Sequence, residues 1–153
     1  MSENPEKETG DGQRATGNGQ RAISGGGAEP TILRKGGDIA DRLRKFALAV
    51  LKLVPMLPTH RAGRHVADQY VRSATSAGSN YDEARAAESL SDFIHKVSIA
   101  AKEMRETCYW TELVAGSGWL QLDLRAHARE ARELSAILGA SARTARARAD
   151  SNR

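Results

Sequence analysis

The chain has 153 residues and a net charge of +4 at pH 7, and 40% of its residues are hydrophobic while only 5% are aromatic. This length suits one domain with a real core and is short for two. The single cysteine, Cys108, excludes an internal disulfide and a metal cluster built from several cysteines. No signal peptide is visible, and no segment reaches the about 18 to 20 apolar residues of a membrane-spanning helix, so we expect a soluble cytoplasmic protein.

Residues 1–37 form a polar, glycine-rich segment with five basic and five acidic residues. Such a segment buries too little apolar surface to offset the entropy lost on ordering, and we expect a disordered tail. The remainder therefore carries the whole charge excess, with 18 Lys and Arg against 14 Asp and Glu. A modest basic excess favours polyanionic partners.

Four segments after residue 37 have helical periodicity, and no strand pattern competes with them. The four predicted helices run from Asp38 to the prolines at 55 and 58, from Arg64 to Ala86, from Asp92 to Ala115 and from Trp119 to Leu138. Ser89 or Ser91 is the expected N-cap of the third helix, and Gly139 is expected to end the fourth. The pattern predicts an all-α fold, an antiparallel up-down-up-down four-helix bundle over residues 38–140, followed by a basic, frayed tail at 141–153.

The third predicted helix has apolar residues on two sides. Its core stripe is expected to contain Phe93, Val97, Ala100, Ala101, Met104, Cys108 and Ala115. Ile99, Trp110 and Leu113 lie nearly opposite that stripe. Because a monomeric surface helix needs only one apolar face, these three residues are predicted to contact another subunit.

A polar stripe lies beside the core stripe of the second helix. Arg72, Ser76, Asn80 and Glu83 follow one another at helical spacing. In an antiparallel bundle they lie alongside Lys96 and Glu103 of the third helix. These six residues form a predicted polar seam, which is either a structural network that fixes helix register or a lined groove for a phosphate or a partner peptide.

Catalysis and metal binding have little support in the sequence. The histidines lie on separate elements, and only Asp92 and His95 have the helical spacing of metal ligands. Cys108 has no activating histidine nearby and is expected to be a buried small hydrophobe. We expect no enzyme activity, no metal and no cofactor; the alternative is a carboxylate site at Asn80, Glu83 and Glu103.

Basic residues are expected at both ends of the bundle. Arg61 and Arg64 lie at one end, and Arg85, Arg143 and Arg146 lie at the other. Repeated by symmetry in an oligomer, these arginines would form an extended positive surface able to neutralise several phosphates. They are the predicted nucleic-acid-binding residues.

The stretch Gln69–Leu113 resembles the four helix bundle protein family, known from proteins encoded in intervening sequences of bacterial 23S ribosomal RNA genes and similar to the accessory variability determinant of diversity-generating retroelements. The matching positions are Gln69, Arg72, Ser73 to Ser76, Asn80, Glu83, Ala84, Ser91, Asp92, Phe93, Ala100, Glu103 and Glu106. The resemblance implies a homopentamer with a central channel and no known enzymatic activity. For the retroelement branch it also implies nucleic-acid binding and a reverse transcriptase partner.

The leading hypothesis from the sequence is a non-catalytic oligomeric scaffold that binds RNA, DNA or a nucleic-acid enzyme. The alternative is a protein-interaction module without nucleic-acid binding. The chain departs from many family members at 81–85, where Tyr-Asp-Glu-Ala-Arg replaces an Ile-Ala-Glu-Gly sequence. We therefore expect the fold and the oligomerisation to transfer to this chain more fully than the partner does.

Overall fold

The computed structural model describes residues 31–152, with side chains from Gly37 onward. The tail predicted at 1–37 lies almost entirely outside the described residues. Across residues 31–152 the fold is all helical, which confirms the predicted class. The elements are α1 (Thr31–Leu53), a 3₁₀ turn (Val54–Met56), α2 (Arg61–Arg85), α3 (Leu90–Gly116) and α4 (Arg125–Ser151).

Each helix packs on its neighbours in chain order, and α1 closes the bundle against α4. Ion pairs between residues 83 and 96 and between residues 72 and 103 show that α2 and α3 run antiparallel. Contacts of residue 98 with 146, and of 112 with 132, show the same for α3 and α4. In this arrangement α1 and α3 occupy opposite corners of the bundle.

The bundle has two ends that differ in composition. We call the end that holds the α1–α2 and α3–α4 connections the tryptophan end, because Trp119 lies in the second of these connections. We call the other end, which holds the α2–α3 connection and the last turns of α4, the Leu90 end.

The starts of α2 and α3 are set by capping side chains. Ser89 caps α3, as predicted, since its Oγ accepts a hydrogen bond from the Asp92 backbone N–H at 3.1 Å. His60 caps α2 in the same way, with its Nδ1 accepting from the Gly63 N–H at 3.1 Å. This cap starts α2 three residues before the predicted Arg64. A Cβ at Gly63 would lie 1.9 Å from the Pro58 carbonyl oxygen, so the close approach of the α1–α2 connection requires glycine there.

The core stripe of α2 is the predicted one, and that of α3 differs in its last turns. Thr107, Thr111 and Val114 are buried in α3, whereas Cys108 is half-buried and Ala115 is exposed. The threonines tolerate burial because the hydroxyl of each donates to the backbone carbonyl four residues earlier, at 2.8 Å. The sequence prediction read them as polar and therefore placed the stripe one residue too far along.

The predicted bounds of the first and fourth helices are wrong. Helix α1 begins at Thr31, before Asp38. Helix α4 begins at Arg125 and continues through Gly139 to Ser151, so the residues predicted as a frayed tail are helical as far as 151. Ala142 and Ala145 remain buried in this extension. Their burial continues the core stripe past a glycine, which costs only about 1 kcal/mol relative to alanine inside a helix.

Candidate functional site

The structure brings most of the predicted polar seam together along the α2–α3 boundary. Arg72 Nη1 lies 3.4 Å from Glu103, and its Nη2 lies 2.5 Å from Glu106. Lys96 pairs with Glu83. The Glu106 carboxylate also accepts from the Trp110 indole N–H at 3.2 Å, and its pKa is lowered, chiefly by the Arg72 guanidinium.

The other two seam residues bond within α2. Asn80 Nδ2 donates to the Ser76 carbonyl at 2.9 Å and to the Ser76 hydroxyl at 3.2 Å. The seam groups therefore satisfy one another, and this mutual pairing favours the structural network over a groove for a phosphate. The carboxylates at 83 and 103 face basic residues, which also weighs against the carboxylate site considered from the sequence.

The predicted nucleic-acid-binding arginines lie at the two ends of the bundle. Arg61 and Arg64 are exposed in the first turn of α2 at the tryptophan end, where Arg64 bonds the Thr59 carbonyl. Arg143 and Arg146 are exposed on the last turns of α4, and Arg146 Nη2 donates to the Ser98 hydroxyl at 2.8 Å. Arg85 differs from these four, because it pairs with Asp82 at 3.0 Å.

Aromatic rings accompany the arginines at the tryptophan end. The ring of His60 meets that of Trp119 edge-on, with centroids 5.6 Å apart, and His65 meets Trp110 in the same way at 6.0 Å. Both histidines are exposed and both tryptophans are half-buried. Trp110, predicted as a subunit contact, thus uses much of its surface within its own chain.

A buried polar cluster that the sequence reading missed joins all four helices near this end. Tyr70 of α2 is fully buried, and its hydroxyl lies 2.8 Å from both Thr111 Oγ1 of α3 and His127 Nε2 of α4. The His127 ring stacks on Phe46 of α1, with centroids 4.2 Å apart. We call these four residues the histidine cluster.

The hydrogen bonds of the histidine cluster fix its protons. The Thr111 hydroxyl donates to the Thr107 carbonyl, so it can only accept from Tyr70. Tyr70 has then used its single proton, so its oxygen accepts from an N–H on His127 Nε2. Burial lowers the pKa of His127, while Glu130 one turn away opposes the shift more weakly. Burial raises the pKa of Tyr70.

A second contact, which the sequence did not predict, joins α1 to α4. Arg42 of α1 makes a bidentate pair with Glu130, with both N···O distances 2.9 Å, and a further 2.9 Å contact with Glu133. The hydrogen bonds raise the pKa of Arg42 and lower that of Glu130. The periodicity of α1 gave no sign of this pairing, because it shows which face a residue occupies and not which residue it meets.

Large apolar side chains are exposed on α1 and α3. On α1 and the turn after it these are Leu48, Leu51 and Met56. On α3 they include Tyr109, 58% exposed, and Leu113, 39% exposed. Ile99, the remaining predicted subunit contact, is half-buried. The two apolar patches lie on opposite corners of the bundle.

Three other candidate features are a metal site, a reactive cysteine and a membrane-spanning helix. Within residues 31–152, no three His, Cys, Asp or Glu side chains are grouped so that they could hold a metal ion. Burial and the nearby Glu112 carboxylate raise the pKa of Cys108, which disfavours the reactive thiolate. None of the described helices combines the length and the apolar character needed to cross a membrane.

Comparison with known proteins places this bundle in a family. Residues 37–140 match the family described as 23S rRNA-intervening sequence protein. A solved structure from Bacteroides thetaiotaomicron, described as a protein with unknown function from the S23 ribosomal protein family, superposes with a TM-score of 0.63 at 30% identity, covering 71% of this chain and 98% of that one. No curated protein matches the chain. The chain belongs to the 23S rRNA-intervening sequence protein family.

Proposed function

We propose that the protein is a helical scaffold that binds nucleic acid and acts as an assembly of several copies. The observation that carries this proposal is that each end of the bundle holds two exposed arginines without an acidic partner. Several bases along the bundle, such as Arg42, Arg72 and Lys96, pair with carboxylates of neighbouring helices, whereas others, such as Lys102 and Arg105, have no such partner among the described residues. In the part of the chain that the structure describes, no carboxylate lies within ion-pair distance of Arg61, Arg64, Arg143 or Arg146.

Exposed arginines without acidic partners suit the phosphates of a nucleic acid. Neutralising each phosphate releases condensed counterions, so affinity grows with the number of such contacts and falls as salt rises. The four arginines of one chain offer few contacts. An assembly multiplies them, and a multiplied set gives useful affinity at physiological salt.

The apolar patches support such an assembly. Because they lie on opposite corners, the patch on α1 of one copy meets the patch on α3 of another in a head-to-tail contact. Head-to-tail contacts generate a ring when the rotation closes. The family resemblance implies five copies. The apolar pattern of α3 predicts Ile99, Trp110 and Leu113 in the contact, and of these Leu113 is exposed.

Charge reversal tests the proposal. In the variants Arg61→Glu/Arg64→Glu and Arg143→Glu/Arg146→Glu, we expect weaker binding of a labelled oligonucleotide of about 20 nucleotides. Each phosphate contact that is lost should flatten the slope of log affinity against log salt by about one. Fluorescence anisotropy at several salt concentrations measures both quantities.

Lys102→Glu/Arg105→Glu is the matched control, because it makes the same double charge reversal at two exposed positions in the middle of α3. The proposal requires this variant to bind more tightly than either end variant. Equal affinity of all variants and the unchanged protein would overturn it. A protein that bound no RNA or DNA at low salt, yet associated with itself, would instead support the interaction module, with a reverse transcriptase or another protein as its partner.

A further inference from the structure

We infer that the tryptophan end is a stacking site for the bases of a single-stranded nucleic acid. The inference rests on the proposed function and narrows it to a ligand class at one end of the bundle. The site consists of exposed basic residues at the start of α2 and the two tryptophans beside them. These residues are His60, Arg61, Arg64, His65, Trp110 and Trp119.

The first step is that the two ends of the bundle differ in the aromatic rings that accompany their arginines. At the Leu90 end Arg146 lines a cavity with Leu90, Ile94 and Asp150, and the half-buried Phe93 lies beside Arg148 without an exposed ring partner among the described residues. At the tryptophan end Arg61 and Arg64 lie, in sequence, between the histidines of two histidine–tryptophan pairs. Proteins that bind single strands combine a positive surface with aromatic rings on which unpaired bases stack. In a duplex the base faces are already stacked and cannot use such rings.

The second step is the spacing of the two ring pairs. His60, the N-cap of α2, and His65 are five residues apart, which corresponds to about 7.5 Å along the helix axis and about 1.4 turns, so the two side chains leave different faces of α2. That is roughly twice the ~3.4 Å rise per nucleotide along one strand of a duplex. The two pairs are therefore far enough apart to contact different bases of one strand. Arg61 and Arg64 lie between them in sequence and can neutralise the adjoining phosphates.

The third step is that two acidic residues of α3 near Trp110 are engaged elsewhere, while Asp68 of α2 is exposed one turn after Arg64. Glu106, next to Trp110, is held by Arg72 and by the indole N–H. Glu112, on the following turn of α3, pairs with Arg132 at 3.1 Å. The indole of Trp110 donates to Glu106 and meets the His65 ring of α2, and it also meets the Tyr109 ring edge-on with centroids 4.9 Å apart, so the site adjoins the apolar patch formed by Tyr109 and Leu113.

The two tryptophans make the test direct, because they are the only ones in the chain. Intrinsic tryptophan fluorescence therefore reports on this end alone. We expect oligo-dT and oligo-U of about 20 nucleotides to quench the fluorescence, and a duplex of the same length to bind without comparable quenching. The two oligonucleotides distinguish DNA from RNA as the source of the single strand.

Substitutions identify which of the aromatic rings contact the single strand. His65→Ala and His60→Asn should each weaken single-strand binding, and Trp119→Leu should weaken it roughly fivefold or more, with duplex binding changed less. Asparagine at 60 keeps a side-chain acceptor for the α2 cap. The histidine variants remain informative if Trp119→Leu lowers stability. Arg143→Glu is the control at the other end, and it should reduce affinity without abolishing quenching.

Four outcomes would overturn the inference. Equal quenching by duplex and single strand would remove the preference. If ring variants bound single strands normally while Arg61→Glu/Arg64→Glu did not, contacts at this end would be purely electrostatic, and the proposed function would stand without the stacking site. If the fluorescence changed with protein concentration and not with added oligonucleotide, the rings would contact another copy. Absence of binding to any nucleic acid would remove the proposed function as well.

Discussion

The bundle contains two polar regions of opposite character, the buried histidine cluster and the exposed seam between α2 and α3. The cluster has few groups, and its two hydroxyls, on Tyr70 and Thr111, are fully buried, while His127 is half-buried. The seam has more groups and contains ion pairs, but its side chains reach solvent. The side chain of Arg72, for example, is 50% exposed. Burial therefore decides what a polar contact is worth, because only a buried group pays the full cost of losing its partner.

The histidine cluster and the seam also specify the fold in different ways. The histidine cluster takes one ring or hydroxyl from every helix, so a change in the register of any one helix breaks it. The seam links α2 and α3 alone and can rearrange with long, flexible side chains. We expect the cluster to contribute to stability and the seam mainly to the relative position of two helices.

Removing the Tyr70 hydroxyl should give the largest effect. Tyr70→Phe leaves the His127 Nε2–H without an acceptor and Thr111 without a donor, inside the core. We expect a loss of about 1–3 kcal/mol in the free energy of unfolding. Urea unfolding followed by circular dichroism measures it. Tyr109→Phe, at an exposed tyrosine on α3, is the control and should change stability by less than about 0.5 kcal/mol.

The α2 stripe shows what could be predicted from the sequence. Tyr70, Ala74, Ala77 and Tyr81 recur at helical spacing, and the structure buries all of them. Periodicity identifies such a face because burial of apolar residues dominates helix packing. It also located the seam, since charged residues beside a core stripe must meet the next helix.

The histidine cluster shows what could not be predicted. The sequence places the histidines on separate elements, and nothing in the residues around His127 points to Tyr70, 57 positions away. The buried threonines of α3 were missed for a related reason: their hydroxyls are satisfied by their own backbone, which a polar–apolar pattern does not reveal. Likewise, Gly139 predicts the end of the fourth helix, but α4 continues past this glycine because the helix packs on α3.

Acid should weaken the bundle through His127, with an effect second to that of Tyr70→Phe. The folded pKa of His127 lies below its unfolded value of about 6.5, so the unfolded chain binds a proton first as the pH falls. Stability should therefore be constant above about pH 7.5, fall as the pH passes below about 6.5, and level off below the folded pKa. Thermal unfolding between about pH 7.5 and pH 5.5 measures this.

His127→Gln isolates the contribution of this histidine. Glutamine keeps a side-chain polar group near Tyr70 but has no proton to gain in this range. The groups facing His127 are Glu130 on its own helix, Tyr70, Thr111 and Phe46, and Arg42 beyond Glu130. The carboxylate of Glu130, whose pKa is lowered by Arg42, should titrate in both proteins at lower pH. An equal acid slope in both proteins would show that His127 does not cause the loss of stability in acid.

The seam should give the smallest effect. In Arg72→Gln the contacts to Glu103 and Glu106 are lost, but both carboxylates are near the surface and regain water. We expect a small destabilisation that disappears as salt screens the charges, and no acceleration of proteolysis. Arg105→Gln, at an exposed arginine of α3, is the control for the loss of one charge. A loss as large as that of Tyr70→Phe, persisting at high salt, would mean that the seam fixes the pairing of α2 with α3 as strictly as the buried cluster does. The degree of burial would then no longer predict which of the two regions contributes more to stability.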